Sequence, residues 1–229
     1  GIIAIGLGIG LLGLAWNNSF VAIIGFSGGL LHVLNHAVFK GLLFLGSGAV
    51  LVKTGTREID HLGGLLKKMP WTAAAFLTGC VSISGLPPFN GFVSEFLIYL
   101  AAFHAVLYGT SALTAPGMLV ILGLSLIGGL AAACFAKAFS VVFLGTARSQ
   151  AADRASEVVP AMKWPMVILA LLCLIIALSS PLLLEVSERI LKIHPRFAVE
   201  SDFRGIFHLA AKPLLQVTYG AMALLGLIF

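Results

Sequence analysis

The chain has 229 residues, of which 59% are hydrophobic and only 10% are charged, and its mean hydropathy is +1.07. Soluble domains carry about 25% charged residues, so this composition excludes a soluble globular protein and indicates an integral membrane protein. The net charge of +5 rests on few Lys and Arg side chains and does not favour nucleic-acid binding. Cys80, Cys134 and Cys173 lie in apolar runs without metal-ligand spacing, so we interpret them as small buried residues.

Apolar runs alternate with polar or Pro/Gly-rich stretches and predict seven membrane helices, in the order 1–15, 20–52, 71–84, 96–107, 118–144, 163–180 and 213–229. The first and last runs are shorter than the roughly 20 residues that cross a bilayer. Because Gly1 and Phe229 both lie inside apolar runs, we expect the chain to be part of a longer protein. The predicted fold class is all-α, a polytopic transmembrane helix bundle with one broken helix.

Three parts are predicted along the chain. Residues 1–184 form a transmembrane bundle, 185–212 an amphipathic or extramembrane segment, and 213–229 the start of a further transmembrane helix. Apolar and charged residues alternate in the middle part, as in a helix that lies at a membrane surface. A neutral turn is predicted over 108–117, where Pro116 and Gly117 follow one another.

Three ionisable residues, His32, His36 and Lys40, lie at four-residue intervals inside the long apolar run. On a helix this spacing places them along one face. Ionisable groups are costly in hydrocarbon and mark ion or proton pathways in membrane helices. We therefore predict that the three residues form a proton relay. Asn35 lies off this face, and we interpret it as a polar contact between helices.

Each member of this relay also has a plainer interpretation. Lys40 could extend its side chain to the membrane surface. Twelve residues, or about 18 Å of helix, separate it from the charged loop at Lys53, however, and a Lys side chain reaches only about 6 Å. The two histidines could be core residues that donate hydrogen bonds to backbone carbonyls. Their shared face with Lys40 favours the relay, because histidine exchanges protons near neutral pH.

A second polar position follows a break in the apolar pattern. The stretch 85–91, GLPPFNG, holds two Pro and two Gly and cannot form a continuous helix, yet no charge flanks it. Glu95 follows four residues later, and broken helices with a nearby ionisable group occur at transporter sites. We predict that Glu95 carries protons, and a capping role at the helix start is compatible with this. Lys137 is either a relay residue or a side chain that reaches the surface, and His104 is interpreted as a core residue.

The two motifs occur together in a known family. The sequence HAVFKGLLFL at 36–45, followed by GLPPFNGFVSE at 85–95, resembles the proton-pumping antiporter-like subunits of respiratory complex I. The wording LLHVLNHAVFK at 30–40 and GLPPFNGFVSEF at 85–96 is most similar to the large membrane subunit of hydrogenase-4 and formate hydrogenlyase complexes. The resemblance covers residues 1–145.

This resemblance implies a larger helix bundle with two inverted repeats, of which the chain holds the later part of the second. It also implies that Lys40 is the proton carrier in the middle of the membrane. His32 and His36 link Lys40 to a central hydrophilic axis, and Glu95 is the terminal carboxylate on the broken helix. Lys137 matches a basic position in the next helix.

The function predicted from the sequence is that of a proton-translocating membrane subunit in a complex I-like hydrogenase or oxidoreductase. We predict no catalytic, cofactor-binding or metal-binding residues, because redox chemistry takes place in other subunits. The expected partners are other membrane subunits, peripheral redox subunits indirectly, and the lipid bilayer of a bacterial or archaeal cytoplasmic membrane. The Lys and Arg count favours a cytoplasmic loop at 53–68.

Three alternatives to this function stay open. The chain could belong to a sodium/proton antiporter complex, or it could be an antiporter-like subunit of an NADH-quinone oxidoreductase. It could also be a membrane anchor, in which the polar residues only hold helices together.

Overall fold

A computed structural model describes residues 1–198 and 203–228, and every regular element within them is helical. The helices are α1 (Ile2–Ala15), α2 (Ser19–Thr54), α3 (Pro70–Ile83), α4 (Asn90–Tyr108), α5 (Ser111–Phe143), α6 (Gln150–Asp153), α7 (Pro160–Leu178), α8 (Ser180–Leu191), α9 (Pro195–Ala198) and α10 (Phe203–Ile228). Two 3-10 turns, Ile59–His61 and Leu65–Lys67, lie between α2 and α3. The predicted all-α helix bundle is confirmed.

The other helices pack around α2. It runs for 36 residues without interruption and contacts α1, α3, α4, α7, α8 and α10. Asn18 begins the helix by accepting a hydrogen bond from the Val21 amide at 3.0 Å, and Gly55 ends it in left-handed backbone. At about 1.5 Å per residue, α2 is about 54 Å long, whereas the hydrocarbon core of a bilayer is about 30 Å thick. The helix must therefore tilt or extend beyond the hydrocarbon.

Glycines bring α1 and α2 into close contact. Gly6 lies against the backbone of Gly29, and Gly13 lies against the backbone of Ala22. A Cβ atom at Gly6 would come within 2.7 Å of the Gly29 Cα atom, so even alanine would push the two helices apart. Small residues thus allow the backbones to approach, as is common between membrane helices.

Among the described residues, four helices are long and apolar enough to cross a membrane: α2, α4, α5 and α7. The helices α1 and α3 are also apolar but shorter, with 14 residues each. The segment 84–89 separates α3 from α4, and Gly85 has a positive φ of 65° within it. The predicted break in the helical pattern is confirmed.

The helix α5 begins earlier than the sequence predicts. It starts at Ser111 and contains Pro116, so the predicted turn at 108–117 is wrong beyond its first residues. Packing accounts for the difference, because Leu113 is buried and Gly117 lies close to the α4 backbone. Much of the rest of α5 is exposed, including Cys134, so the predicted burial of the cysteines is wrong for this one and confirmed for the other two.

The helix α10 also begins early, ten residues before the predicted start at Pro213. Phe203, Phe207, Ala210 and Leu214 are all buried and recur at helical spacing, so they form one packing face that continues past the proline. A proline in a helix removes one backbone hydrogen bond, and here the shared face outweighs that loss.

A pair of buried asparagines joins α2 to the first turn of α4. The Asn35 Nδ2 atom donates a hydrogen bond to the Asn90 carbonyl oxygen at 2.8 Å, and Asn90 Nδ2 donates to Asn35 Oδ1 at 3.3 Å. Both side chains are fully buried. The interpretation of Asn35 as a polar contact between helices is confirmed, and this contact places the break beside α2.

Where α2 ends, the loop 145–159 folds over the start of α3. The Glu157 carboxylate accepts hydrogen bonds from the Trp71 and Thr72 amides at 2.8 and 3.3 Å, and another from the Thr72 hydroxyl. The residue before α3 provides no side-chain cap. Glu157 therefore satisfies amides that would otherwise lack an acceptor, and its negative charge suits a helix N-terminus.

Replacing Glu157 by Ala should lower the free energy of unfolding by about 1–2 kcal/mol, because two amides at the start of α3 lose their acceptor. The measurement is thermal unfolding of the full-length protein in detergent. Asp153→Ala is the matched control, since Asp153 lies in the same loop and makes only an exposed ion pair with Lys68 at 3.3 Å. We expect a loss below about 1 kcal/mol for the control. Equal stability of the two variants would contradict the capping role.

Truncating Asn35 or Asn90 to Ala should each lower the free energy of unfolding by about 1–3 kcal/mol, because the partner is left buried and unpaired. The double variant should lose less than the sum of the two, by a coupling energy of about 0.6–1.7 kcal/mol. Ser47→Ala is the control, because its exposed hydroxyl bonds only within α2. Strictly additive losses in a double-mutant cycle would argue against the pair.

Candidate functional site

Four fully or almost fully buried polar side chains meet between α2 and α4. His32 and Asn35 come from α2, and Asn90 and Ser94 come from the first turns of α4. The most exposed of them, His32, shows 2% of its surface. We call these four residues the α2–α4 polar cluster.

Ser94 is the centre of the α2–α4 polar cluster. Its Oγ atom lies 2.8 Å from His32 Nδ1, 2.9 Å from Asn35 Nδ2 and 3.1 Å from the Gly91 carbonyl oxygen one turn earlier in α4. A hydroxyl offers one donor and two acceptor positions, so three partners use its whole capacity. Through this one atom, His32 is tied to the residue next to Glu95.

His36 and Lys40 continue from His32 along α2. The ring centroids of the two histidines are 6.0 Å apart, and both rings contact Phe39. Exposure rises along this row, because His32 is buried whereas His36 and Lys40 are partly buried. The Lys40 Nζ atom lies 5.6 Å from the ring centroid of Phe44 and forms no ion pair within residues 1–198 and 203–228. Only His32 of the three hydrogen-bonds to α4.

Glu95 lies five residues after α4 begins, and its carboxylate rests against the Cα atom of Gly85 in the break. The residue is only 7% exposed, and in the described part of the chain it has no hydrogen-bond or ion-pair partner. It accepts no amide at the start of α4, so any effect on the helix end comes from its charge alone. A buried, unpaired carboxyl group in an apolar bundle is the kind of group that marks a proton pathway.

Two further residues singled out from the sequence lie apart from the α2–α4 polar cluster. Lys137 is exposed on α5, and no ion pair to it is present among the residues described. The His104 ring stacks on Phe20 at 4.0 Å and lies 5.0 Å from the Tyr108 ring, so its interpretation as a packing residue is confirmed. No group of three His, Cys, Asp or Glu side chains in the described ranges could hold a metal ion.

Asn90 and Ser94 are the cluster residues that the sequence-based prediction does not include. A signal for them exists, because they stand four residues apart and share one face of α4. Small polar residues at helical spacing in an apolar helix indicate a hydrogen-bonded contact with another helix. Which helix supplies the partner is not visible in the sequence.

Comparison with known proteins identifies relatives of this chain. Residues 7–120 match the family described as the NADH:quinone oxidoreductase/Mrp antiporter transmembrane segment. The chain is 39% identical to hydrogenase-4 component B of Escherichia coli strain K12, over 98% of this chain and 34% of that protein. It is 41% identical to formate hydrogenlyase subunit 3 of the same strain, over 80% of this chain and 30% of that protein. The chain thus spans about a third of the length of these relatives.

A solved structure shares the fold. In the Mrp complex from Dietzia sp. DQ12-45-1b, one chain superposes with a TM-score of 0.61 and 26% sequence identity, covering 80% of this chain and 39% of that one. The family match at 7–120 contains all of α2 and α4, and therefore the whole α2–α4 polar cluster. The predicted resemblance is confirmed, and the chain belongs to the antiporter-like membrane subunits of the NADH:quinone oxidoreductase/Mrp antiporter family, which are parts of multi-subunit membrane complexes.

Proposed function

We propose that this chain is part of a proton-translocating membrane subunit of a complex I-like hydrogenase or related oxidoreductase. One observation carries the proposal: the row of Lys40, His36 and His32 on α2 reaches α4 at Ser94, the neighbour of the buried, unpaired Glu95. Groups that bind protons reversibly thus follow one another towards the break between α3 and α4. The similarity to hydrogenase-4 component B and formate hydrogenlyase subunit 3 supports the same assignment.

In this proposal, Lys40 and Glu95 take up and release protons in response to charge shifts in neighbouring subunits, and the two histidines pass protons between them. No direct hydrogen bond joins His32 to His36, whose ring centroids are 6.0 Å apart, so water bridges complete the relay. Lys137 is the outermost group of the relay, because it is exposed on α5 and lies apart from the α2–α4 polar cluster.

The proposed partners are other membrane subunits and, through them, peripheral redox subunits that carry out the electron transfer. The proposed location is a bacterial or archaeal cytoplasmic membrane, with the loop 53–68 on the cytoplasmic side. This loop contacts the basic loop 145–159, whereas the turns 16–18 and 109–110, at the opposite ends of α2 and α5, carry no charge. Such an excess of Lys and Arg is typical of cytoplasmic loops.

We also propose that residues 1–184 form the membrane bundle, that 185–212 lies at the membrane surface, and that 213–229 begins a further span. The helix α8 supports the surface assignment. Leu182, Val186 and Ile190 are exposed on one of its faces, although Leu184 on another face is buried in the bundle. An exposed apolar stripe beside charged residues suits the boundary between lipid headgroups and acyl chains.

The variant Lys40→Met should lose proton translocation at a normal level of assembled complex, because Met is similar in length but cannot bind a proton. Lys40→Arg should fail as well, since a guanidinium group does not release its proton in proteins. The measurement is proton uptake by inverted membrane vesicles that contain the full-length complex, normalised to the amount of complex present.

Lys53→Met is the matched control for this experiment. Lys53 lies on the same helix, but its Nζ atom is at the polar end, 3.4 Å from Ser156 Oγ, so normal translocation is expected. Normal translocation in Lys40→Met would favour the membrane-anchor hypothesis instead. Rescue by Lys40→Arg alone would assign to Lys40 the role of a fixed charge rather than a proton carrier.

Glu95→Gln should also abolish translocation while leaving assembly intact, because Gln keeps the size that fits beside Gly85 but cannot bind a proton. The same vesicle assay measures this effect. Glu58→Gln provides the control, as Glu58 is an exposed carboxylate in the polar loop, 3.3 Å from His61 Nδ1. Wild-type translocation in Glu95→Gln would remove Glu95 from the relay.

The similarity to the Mrp complex favours a second candidate, a subunit of a sodium/proton antiporter complex without a redox partner. Purification of the tagged full-length protein distinguishes the two. Copurified nickel–iron or iron–sulfur subunits support the hydrogenase, and NADH-dependent quinone reduction supports an NADH-quinone oxidoreductase. Uptake of radioactive sodium driven by a pH gradient, with no such subunits present, supports the antiporter.

A further inference from the structure

The hydrogen bonds around Ser94 determine which nitrogen of His32 carries a proton. The Asn90 carbonyl oxygen can only accept, so the Asn35 amide nitrogen must face it rather than the amide oxygen. The second N–H of that nitrogen is directed at Ser94 Oγ, 2.9 Å away. One of the two acceptor positions of the Ser94 hydroxyl is therefore occupied by Asn35.

The single hydroxyl proton of Ser94 then has two possible acceptors, the Gly91 carbonyl oxygen at 3.1 Å and His32 Nδ1 at 2.8 Å. If it goes to Gly91, the remaining acceptor position of Ser94 receives Nδ1–H of His32, and all three neighbours are bonded at once. If it goes to His32, that acceptor position has no donor and the Gly91 bond is lost. Ser94 is fully buried, where unused hydrogen-bonding capacity is costly, so the first arrangement is favoured.

We propose that Ser94 is a positioning residue that holds the neutral His32 ring with its proton on Nδ1, so that Nε2 alone binds and releases protons. The Nδ1–H bond to Ser94 is the same in the neutral ring and in the imidazolium ion. His32 can therefore change its charge without breaking its contact with α4. The exchangeable proton is confined to the side of the ring turned away from Ser94.

The inference rests on the proposed function for its significance, because a fixed tautomer matters only if His32 relays protons. A relay histidine whose two nitrogens both exchange protons loses a defined direction of transfer. Ser94→Ala removes the acceptor for Nδ1–H, so both tautomers of His32 become populated. Ser94→Thr retains a hydroxyl at the same position.

The test is nitrogen NMR of ring-labelled histidine in the full-length subunit within its assembled complex in lipid nanodiscs. The His32 signals are assigned by their loss in His32→Asn, and protonated and unprotonated ring nitrogens resonate in separate regions. The expected result is a protonated Nδ1 in the wild type and in Ser94→Thr, and a mixture of tautomers in Ser94→Ala. Ser47→Ala, an exposed serine on α2, is the matched control and should leave the His32 signals unchanged.

A wild-type His32 with its proton on Nε2 would overturn the proposal, as would an unchanged tautomer in Ser94→Ala. The wild-type and Ser94→Thr spectra decide the question even if Ser94→Ala does not assemble. In the vesicle assay, Ser94→Ala should lose most of its proton translocation, and Ser94→Thr should retain it. Failure of the relay itself is seen separately, as normal translocation in Lys40→Met, and does not alter the tautomer result.

Discussion

An apolar helix bundle can bury polar groups only if they bond with one another, and the contact between α2 and α4 depends on this constraint. Asn35 bonds to Asn90 and Ser94, and the Ser94 hydroxyl also holds His32. Each of these groups would be costly alone in an apolar interior. Together they fix the start of α4 at one height along α2, and this height determines where Glu95 lies relative to the histidines.

Local features of the sequence were sufficient to predict the row on α2 and the break before α4. The spacing of His32, His36 and Lys40 follows from helical periodicity, which needs no knowledge of neighbouring elements. The Pro and Gly content of 85–91 excludes a helix by backbone chemistry alone. Asn35 was predicted to contact another helix because an amide in an apolar helix requires a partner.

Features that depend on which elements are neighbours could not be predicted in this way. Ser94 is a small polar residue until His32 and Asn35 are seen to share its hydroxyl, and Glu157 caps a helix that begins 87 residues before it in the chain. The early start of α5 has the same origin. The cost of Pro116 in a helix is a local rule, but the close fit of Gly117 against α4 overrides it.

Gly85 shows how packing can imitate function. Its φ of 65° and the Glu95 carboxylate against its Cα atom both exclude a larger residue, so any substitution strains the backbone and displaces Glu95. In a library of all single substitutions, position 85 would therefore be as intolerant as the residues that bind protons, although glycine has no group to titrate. Mutational intolerance in the break is for this reason a poor guide to the proton carriers, and only substitutions that keep volume while removing a proton-binding group can identify them.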